Sequence, residues 1–147
     1  MAIDINHPNH RFTGSALTIV AVPSKGFSFR LAPQLVGTSV FPKFDWTNDA
    51  KICLGFDEMG MLLGVLRGVY ESIADGKGIF HRTIRDCGTT AVLLKLSHRI
   101  EPIRGYLLEI RQETHGETGG EILLTVDEAM ALCASLESSM GRVFLAD

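Results

Sequence analysis

Apolar and polar positions alternate along much of the chain, and the alternation predicts strands. In "SALTIVAV", Leu17, Ile19 and Ala21 fall on one side, with Ala16, Thr18, Val20 and Val22 on the other. "PSKG" reads as a hairpin turn, and "FSFRL" follows with Phe27, Phe29 and Leu31 opposite Ser28 and Arg30. "VFPKFDW" reads as a shorter strand in which Pro42 suits an edge or a strand start. After the turn "TND", "KICLGF" sets Ile52, Leu54 and Phe56 against Lys51, Cys53 and Gly55. The period then changes. Met59, Leu62, Leu63, Leu66, Tyr70 and Ile73 form a helical stripe, which predicts a helix from Asp57 as N-cap to about Ile73.

The second half repeats this order. "GIFHRTIR" places Phe80, Arg82 and Ile84 opposite His81, Thr83 and Arg85. "TTAVLLKLSHR" sets Val92, Leu94 and Leu96 against Leu93, Lys95 and Ser97, and "GYLLEIRQE" sets Tyr106, Leu108 and Ile110 against Leu107, Glu109 and Arg111. "THGETGG" is a turn. "EILLTV" then leads to Asp127 as a second N-cap and to a helix with the stripe Ala129, Leu132, Cys133, Leu136 and Met140.

Asp57 and Asp127 stand 70 residues apart, inside "KICLGFDEMGMLLGVL" and "EILLTVDEAMALCASL". The predicted fold class is therefore α+β: two tandem ββββα units with antiparallel sheets and the two helices packed together. A flexible tail is expected over residues 1–11. The single domain at 12–147 divides at about 12–76 and 77–147. Gly60, Gly64 and Gly68 recur every four residues along one ridge. Glycine costs about 1 kcal/mol in a helix interior relative to alanine, so the ridge predicts a close helix–helix contact, within the chain or between subunits.

Composition narrows the classes. With 147 residues, 46% hydrophobic, the chain is long enough to bury a core, and no apolar run approaches the roughly 20 residues of a membrane span. The first twelve residues show neither an apolar core nor an Arg/Ser-rich amphipathic pattern, so no targeting peptide is expected, and a cytoplasmic location is the default. Three cysteines without a CxxC pair do not make a disulfide scaffold. Cys53 and Cys133 read as small core residues, and Cys87 as a turn residue. The formal net charge is −3, but from Lys77 to Arg111 seven basic residues face three acidic ones. Such asymmetry can mark an anionic ligand surface, though a solvated strand face is the plainer account of it.

The run from "FTGSAL" through "SKGFSFRLAP" and "KFDW" to "KICLGFDEMGMLLGVL" resembles the Whirly proteins of plants, which share the fold of single-stranded-DNA-binding transcriptional regulators. The aromatic-Asp-Trp element followed by a strand and a helix is the most specific part. The second unit matches in order and spacing with little residue identity. The resemblance implies two ββββα units with their helices inward, a tetramer, and single-stranded nucleic acid along the exposed sheets. A distant branch, the mitochondrial guide-RNA-binding proteins, uses this fold on RNA. The family's Lys-Gly-Lys-Ala-Ala-Leu element is altered here, with Thr13 and Ser15 at the two lysine places.

Binding a bare strand requires cations along the phosphate path and aromatic platforms for the bases. The candidate nucleic-acid contacts are Lys25, Arg30 and Lys43 in the first unit, and Arg82, Arg85, Lys95, Arg99 and Arg111 in the second. Candidate platforms are Phe27, Phe41, Phe80 and Tyr106, each of which strand parity also allows in the core. Lys95, Ser97 and Arg99 share one strand face, as do Ser28 and Arg30. Trp46 is expected to be structural, packed near the first helix.

No catalytic constellation is readable. His7 and His10 in "HPNH" lack a third metal ligand and are expected to be mobile or solvent-facing. The Asp57–Glu58 and Asp127–Glu128 pairs suit helix caps better than acid/base work. "GETGG" lacks the Lys-Ser/Thr of a phosphate loop. The expectation is a non-catalytic, homo-oligomeric single-strand binder, DNA before RNA, with no cofactor and no metal. The alternative is a structural or protein-interaction module that kept the fold and lost the ligand, which the altered lysine places and the negative charge favour.

Overall fold

The structure, a computed structural model, describes residues 2–9, 14–85, 88–101 and 103–145. Eight strands form two four-stranded sheets. β1 (Ala2–His7), β2 (Ser15–Val22), β3 (Gly26–Pro33) and β4 (Ala50–Leu54) pair in sequence order, and α1 (Phe56–Leu66) follows. β5 (Ile79–Arg85), β6 (Gly88–Arg99), β7 (Gly105–Glu113) and β8 (Glu117–Thr125) repeat the order and lead to α2 (Val126–Phe144). All neighbouring strands are antiparallel. The fold is α+β with two ββββα units, as the internal repeat predicts.

The first sheet has four strands, but not the four that the sequence pattern marks. Ala2–His7, expected to be a flexible tail, is β1, paired along its whole length with β2. Ile3 and Ile5 turn to the core while Ala2 and Asp4 face outward, so the period-2 signal was present in a short run. "VFPKFDW" is not a strand. Pro42 offers no N–H to a ladder, only an isolated bridge joins Gln34 to Phe44, and Asp45 caps a short 3-10 turn over Trp46–Asn48.

One core joins the sheets and helices. Phe27, Phe29, Leu17, Ile19 and Leu54 from the first sheet meet Leu94, Leu96, Leu108 and Ile110 from the second, with Met59, Leu62, Leu66 and Leu136 from the helices. Burial of this apolar surface is the main stabilising term. The sheets are also stitched by polar contacts: Ser15 Oγ donates to the Glu121 carbonyl at 2.7 Å, and Thr118 Oγ1 to the Asp49 carbonyl at 2.8 Å.

Both helix starts lie two residues before the expected aspartates. Gly55 and Thr125 are the N-caps, again 70 residues apart, and Asp57 and Asp127 lie in the first turn. Thr125 Oγ1 accepts from the Glu128 N–H at 3.1 Å, while Glu128 Oε1 accepts from the Thr125 N–H at 2.9 Å. Glu58 Oε1 makes the corresponding return contact to the Gly55 N–H at 3.1 Å. The glutamates, not the aspartates, thus serve the exposed amide groups.

The first helix ends at Leu66, not near Ile73. Gly68 adopts φ +80°, so the Gly68 and Val69 N–H groups turn back to the Val65 and Gly64 carbonyls at 3.0 and 2.8 Å. This termination disposes of most of the expected glycine ridge. Gly68 ends the helix, Gly64 seats the ring of Tyr70, and Gly60 faces open space. Tyr70 lies outside the helix and is exposed. The helices do contact one another, and Arg67 pairs with Glu137 across them.

Candidate nucleic-acid interface

Strand parity separates a buried from an outer face in each sheet. In the second sheet Val92, Leu94, Leu96, Tyr106, Leu108 and Ile110 are buried. Phe80, Arg82 and Ile84 of β5, Lys95 and Arg99 of β6, and Glu109 and Arg111 of β7 therefore point outward. The registers arrange these side chains in rows: Phe80–Leu93–Arg111–Gly119, Arg82–Ala91–Glu113–Glu117, and Lys95–Glu109–Glu121.

The β5–β6 half of this face has the makings of a strand-binding surface. Phe80 is 60% exposed and Ile84 74% exposed, on an edge strand, with exposed Arg82 between them. Lys95 and Arg99 are exposed one strand further in, and Arg99 Nε donates to Ser97 Oγ at 3.2 Å. A groove of about 340 Å³ lies beside them, lined in part by Glu71, Ser72, Lys95, Ser97, Arg99 and Glu109, so it mixes two cations with two acids. Here the backbone at Glu71 and Ser72 continues the sheet past the start of β5: the His98 N–H donates to the Glu71 carbonyl at 2.8 Å, and Ser72 bridges Ser97. Arg85 ends β5, opposite Gly88 in the register.

The β7–β8 half carries the opposite charge. Arg111 lies among three carboxylates, at 3.6 Å from Glu109, 3.4 Å from Glu117 and 3.8 Å from Glu121. Its guanidinium is balanced within the protein.

On the first sheet the corresponding outer row is Asp4–Thr18–Arg30–Lys51. Arg30 Nε pairs with Asp49 at 2.5 Å, and its guanidinium lies 5.2 Å from the centroid of the Trp46 ring. Trp46 thus stacks with Arg30, on the face that points away from the core. Lys51, which the sequence reading passed over, is the exposed cation next to Arg30 in the register. Its outward orientation was readable from the alternation with Ile52 and Leu54; its neighbour was not. Lys25 is exposed in the β2–β3 turn, and Lys43 is exposed in the long β3–β4 connection with Val36, Val40 and Phe41. Of the four candidate platforms, Phe27 and Tyr106 are buried, while Phe41 and Phe80 are exposed.

The remaining chemistry is structural. His7 does not face solvent as expected: it is half-buried on β1, and its Nε2 lies 2.8 Å from Glu128. His81 approaches Glu58 at 2.6 Å. Each unit's first strand thus holds the helix N-terminus of the other. Burial raises the Glu128 pKa, but hydrogen bonds from His7 and the Thr125 backbone outweigh it and hold the carboxylate below its usual range. Cys133 is buried, as expected, and its thiol donates to Glu137 at 2.9 Å; burial first, then that carboxylate, push its pKa up to about 11. Cys53 is only half-buried, on the outer face of β4. His10, Thr13 and Cys87 lie outside the described residues. Among the described residues no group of three His, Cys, Asp or Glu could hold a metal ion, and no helix is long and apolar enough to cross a membrane.

No protein-family profile and no curated protein matches this sequence. Solved structures do match. WHY3 of Arabidopsis thaliana superposes with a TM-score of 0.71 at 17% identity, over 99% of this chain and 89% of that one. WHY1 of the same plant gives 0.71 at 18% identity, over 98% and 85%. MRP1/MRP2 of Trypanosoma brucei gives 0.61 at 18% identity, over 98% and 94%. With likeness spanning nearly the whole of each chain and little identity, the protein has a distant Whirly-like fold.

Proposed function

We propose that this protein binds single-stranded nucleic acid without catalysis, DNA in preference to RNA. The observation that carries the reading is the β5–β6 half of the second sheet, where an exposed aromatic, Phe80, stands among the exposed cations Arg82, Lys95 and Arg99, none of which forms a salt bridge among the described residues. Phosphates need the cations, and an unstacked base needs the ring. Lys25, Lys43 and Lys51 supply further positive charge on the first unit, and Arg85 extends the β5 edge. The Whirly-like fold, read with the family resemblance of the sequence, supports the DNA preference and assembly as a homo-oligomer, a tetramer by that resemblance. The exposed side of α1 at Gly60, with Val69, Tyr70 and Met140 nearby, is available for such assembly.

The test is fluorescence anisotropy with labelled oligo-dT across a salt series. Binding should weaken with log[salt] at a slope of about −0.7 per phosphate neutralised. No binding at low salt, or binding indifferent to ionic strength, overturns the proposal. A second reading, an interaction module that has lost the ligand, is favoured by Arg30 and Arg111, whose charges are met by Asp49 and by three glutamates. It predicts no oligonucleotide binding by the intact protein.

A further inference from the structure

We infer that Arg111 is not a strand contact but the keystone of a carboxylate fence, and that Glu109, Glu117 and Glu121 confine a bound strand to the β5–β6 half of the second sheet. This rests on the proposed single-strand binding.

The geometry is that of a charge boundary crossing one sheet face. Arg111 reaches all three carboxylates within 3.4–3.8 Å, so its charge is already met inside the protein. Glu113 adds a fourth acid in the row of Arg82 and Glu117. On the other side of the boundary Arg82, Lys95 and Arg99 are exposed, and neither Arg82 nor Lys95 has a carboxylate within salt-bridge distance among the described residues. Phosphates spaced along a strand would lower their energy on β5–β6 and raise it on β7–β8. The first sheet shows that the fence is not a requirement of the fold. Leu54 pairs with Phe27 as Leu124 pairs with Tyr106, so Lys51 and Arg30 occupy the places that Glu121 and Glu109 hold in the second sheet. The same two places hold cations in one unit and carboxylates in the other.

The fence predicts a specific double-mutant pattern. Oligo-dT binding is measured by anisotropy at low salt for the wild type, for the triple variant Glu109→Gln, Glu117→Gln and Glu121→Gln, for Arg111→Ala, and for all four substitutions together; thermal melts confirm that each variant is folded. The triple variant should bind on the order of tenfold more tightly, with a steeper salt slope. Arg111→Ala should weaken binding in the wild type, by unmasking the carboxylates, and leave it unchanged in the triple variant. If the wild type binds but the triple variant gains nothing, or if Arg111→Ala costs as much in both backgrounds, the fence is wrong and the proposed function stands. If neither the wild type nor the triple variant binds, both fall.

Discussion

Arg67 and Glu137 occupy the same position in the two repeats, 70 residues apart, and they pair with each other: Nε to Oε1 at 2.6 Å and Nη2 to Oε2 at 2.5 Å. Corresponding positions in two related units meet only near the axis that relates them. This two-point contact therefore marks the pseudo-twofold of the molecule, where α1 crosses α2. The Arg67 guanidinium and then the Cys133 thiol hold the Glu137 carboxyl down to about 2.

The sign of the pH dependence follows. A carboxyl whose folded pKa lies below its unfolded value contributes stability above the unfolded value, about 4.3, and loses it as pH falls through the folded one. The stability that Glu137→Gln removes at pH 6 should therefore shrink steadily between about pH 4 and pH 2. Both side chains are substantially exposed, so salt should reduce it too. Urea midpoints of wild type and variant at pH 6 and pH 2.5 check this; a constant difference would contradict it.

Glycine has opposite consequences at two positions. Gly26 has φ +144°, and a Cβ there would come within 1.9 Å of the Leu54 carbonyl oxygen, a backbone atom in the adjacent strand. Gly26→Ala should cost about 2–4 kcal/mol. Gly60 sits within α1 with nothing within 4 Å of an added Cβ. Gly60→Ala should stabilise the isolated protomer by about 0.5–1 kcal/mol. Denaturant titration reads both. Light scattering on Gly60→Ala reads a third quantity: a change in oligomeric state would mean that this side of α1 is covered by another subunit.

The Thr125 cap should behave as a conventional one. Thr125→Ala removes the acceptor for the Glu128 N–H and should cost about 1 kcal/mol. His7→Ala should destabilise in the same direction by releasing the Glu128 carboxylate, and the two effects should not add, because both act on Glu128, one through its N–H and the other through its carboxylate. A double-mutant cycle in urea tests this; full additivity would separate the cap from the histidine.

On the proposed binding face, Phe80→Ala should cost about 1–3 kcal/mol of oligo-dT affinity, the value of one stacked base. Lys95→Glu with Arg99→Glu should weaken binding and flatten its salt dependence. Anisotropy reads each. Unchanged affinity in either variant would remove those residues from the interface.

Cys133 should be inert. Burial and its bond to Glu137 keep the thiol protonated, so iodoacetamide at pH 8 should leave it unmodified in the folded protein and modify it in urea. Mass spectrometry of the labelled protein decides.

The second unit is legible strand by strand, because its strands alternate over long runs, but "ETGG", which reads as the end of a turn, opens β8 at Glu117, since glycines mask the alternation there. The first unit was misread where signals competed. β1 is a six-residue run next to "HPNH", and the aromatic-rich "VFPKFDW" looked more strand-like than it is. The α1 stripe continues in sequence past Gly68, but the left-handed backbone at that residue ends the helix first. At the candidate site, parity alone identified the outward cations Arg82, Lys95 and Arg99. It could not reveal that Asp49 meets Arg30 or that three glutamates converge on Arg111, since both depend on register and on a connection that returns to the sheet.

The inverted row, Arg30 and Lys51 in one sheet against Glu109 and Glu121 in the other, bears on direction. A perfectly twofold surface offers a strand two equivalent ways to lie, related by half a turn, and so cannot tell its 5′ end from its 3′ end. Here the matching places carry Arg30 and Lys51 on one sheet and Glu109 and Glu121 on the other, so the two faces are not interchangeable. A strand laid across both outer faces would meet different charges in its two orientations.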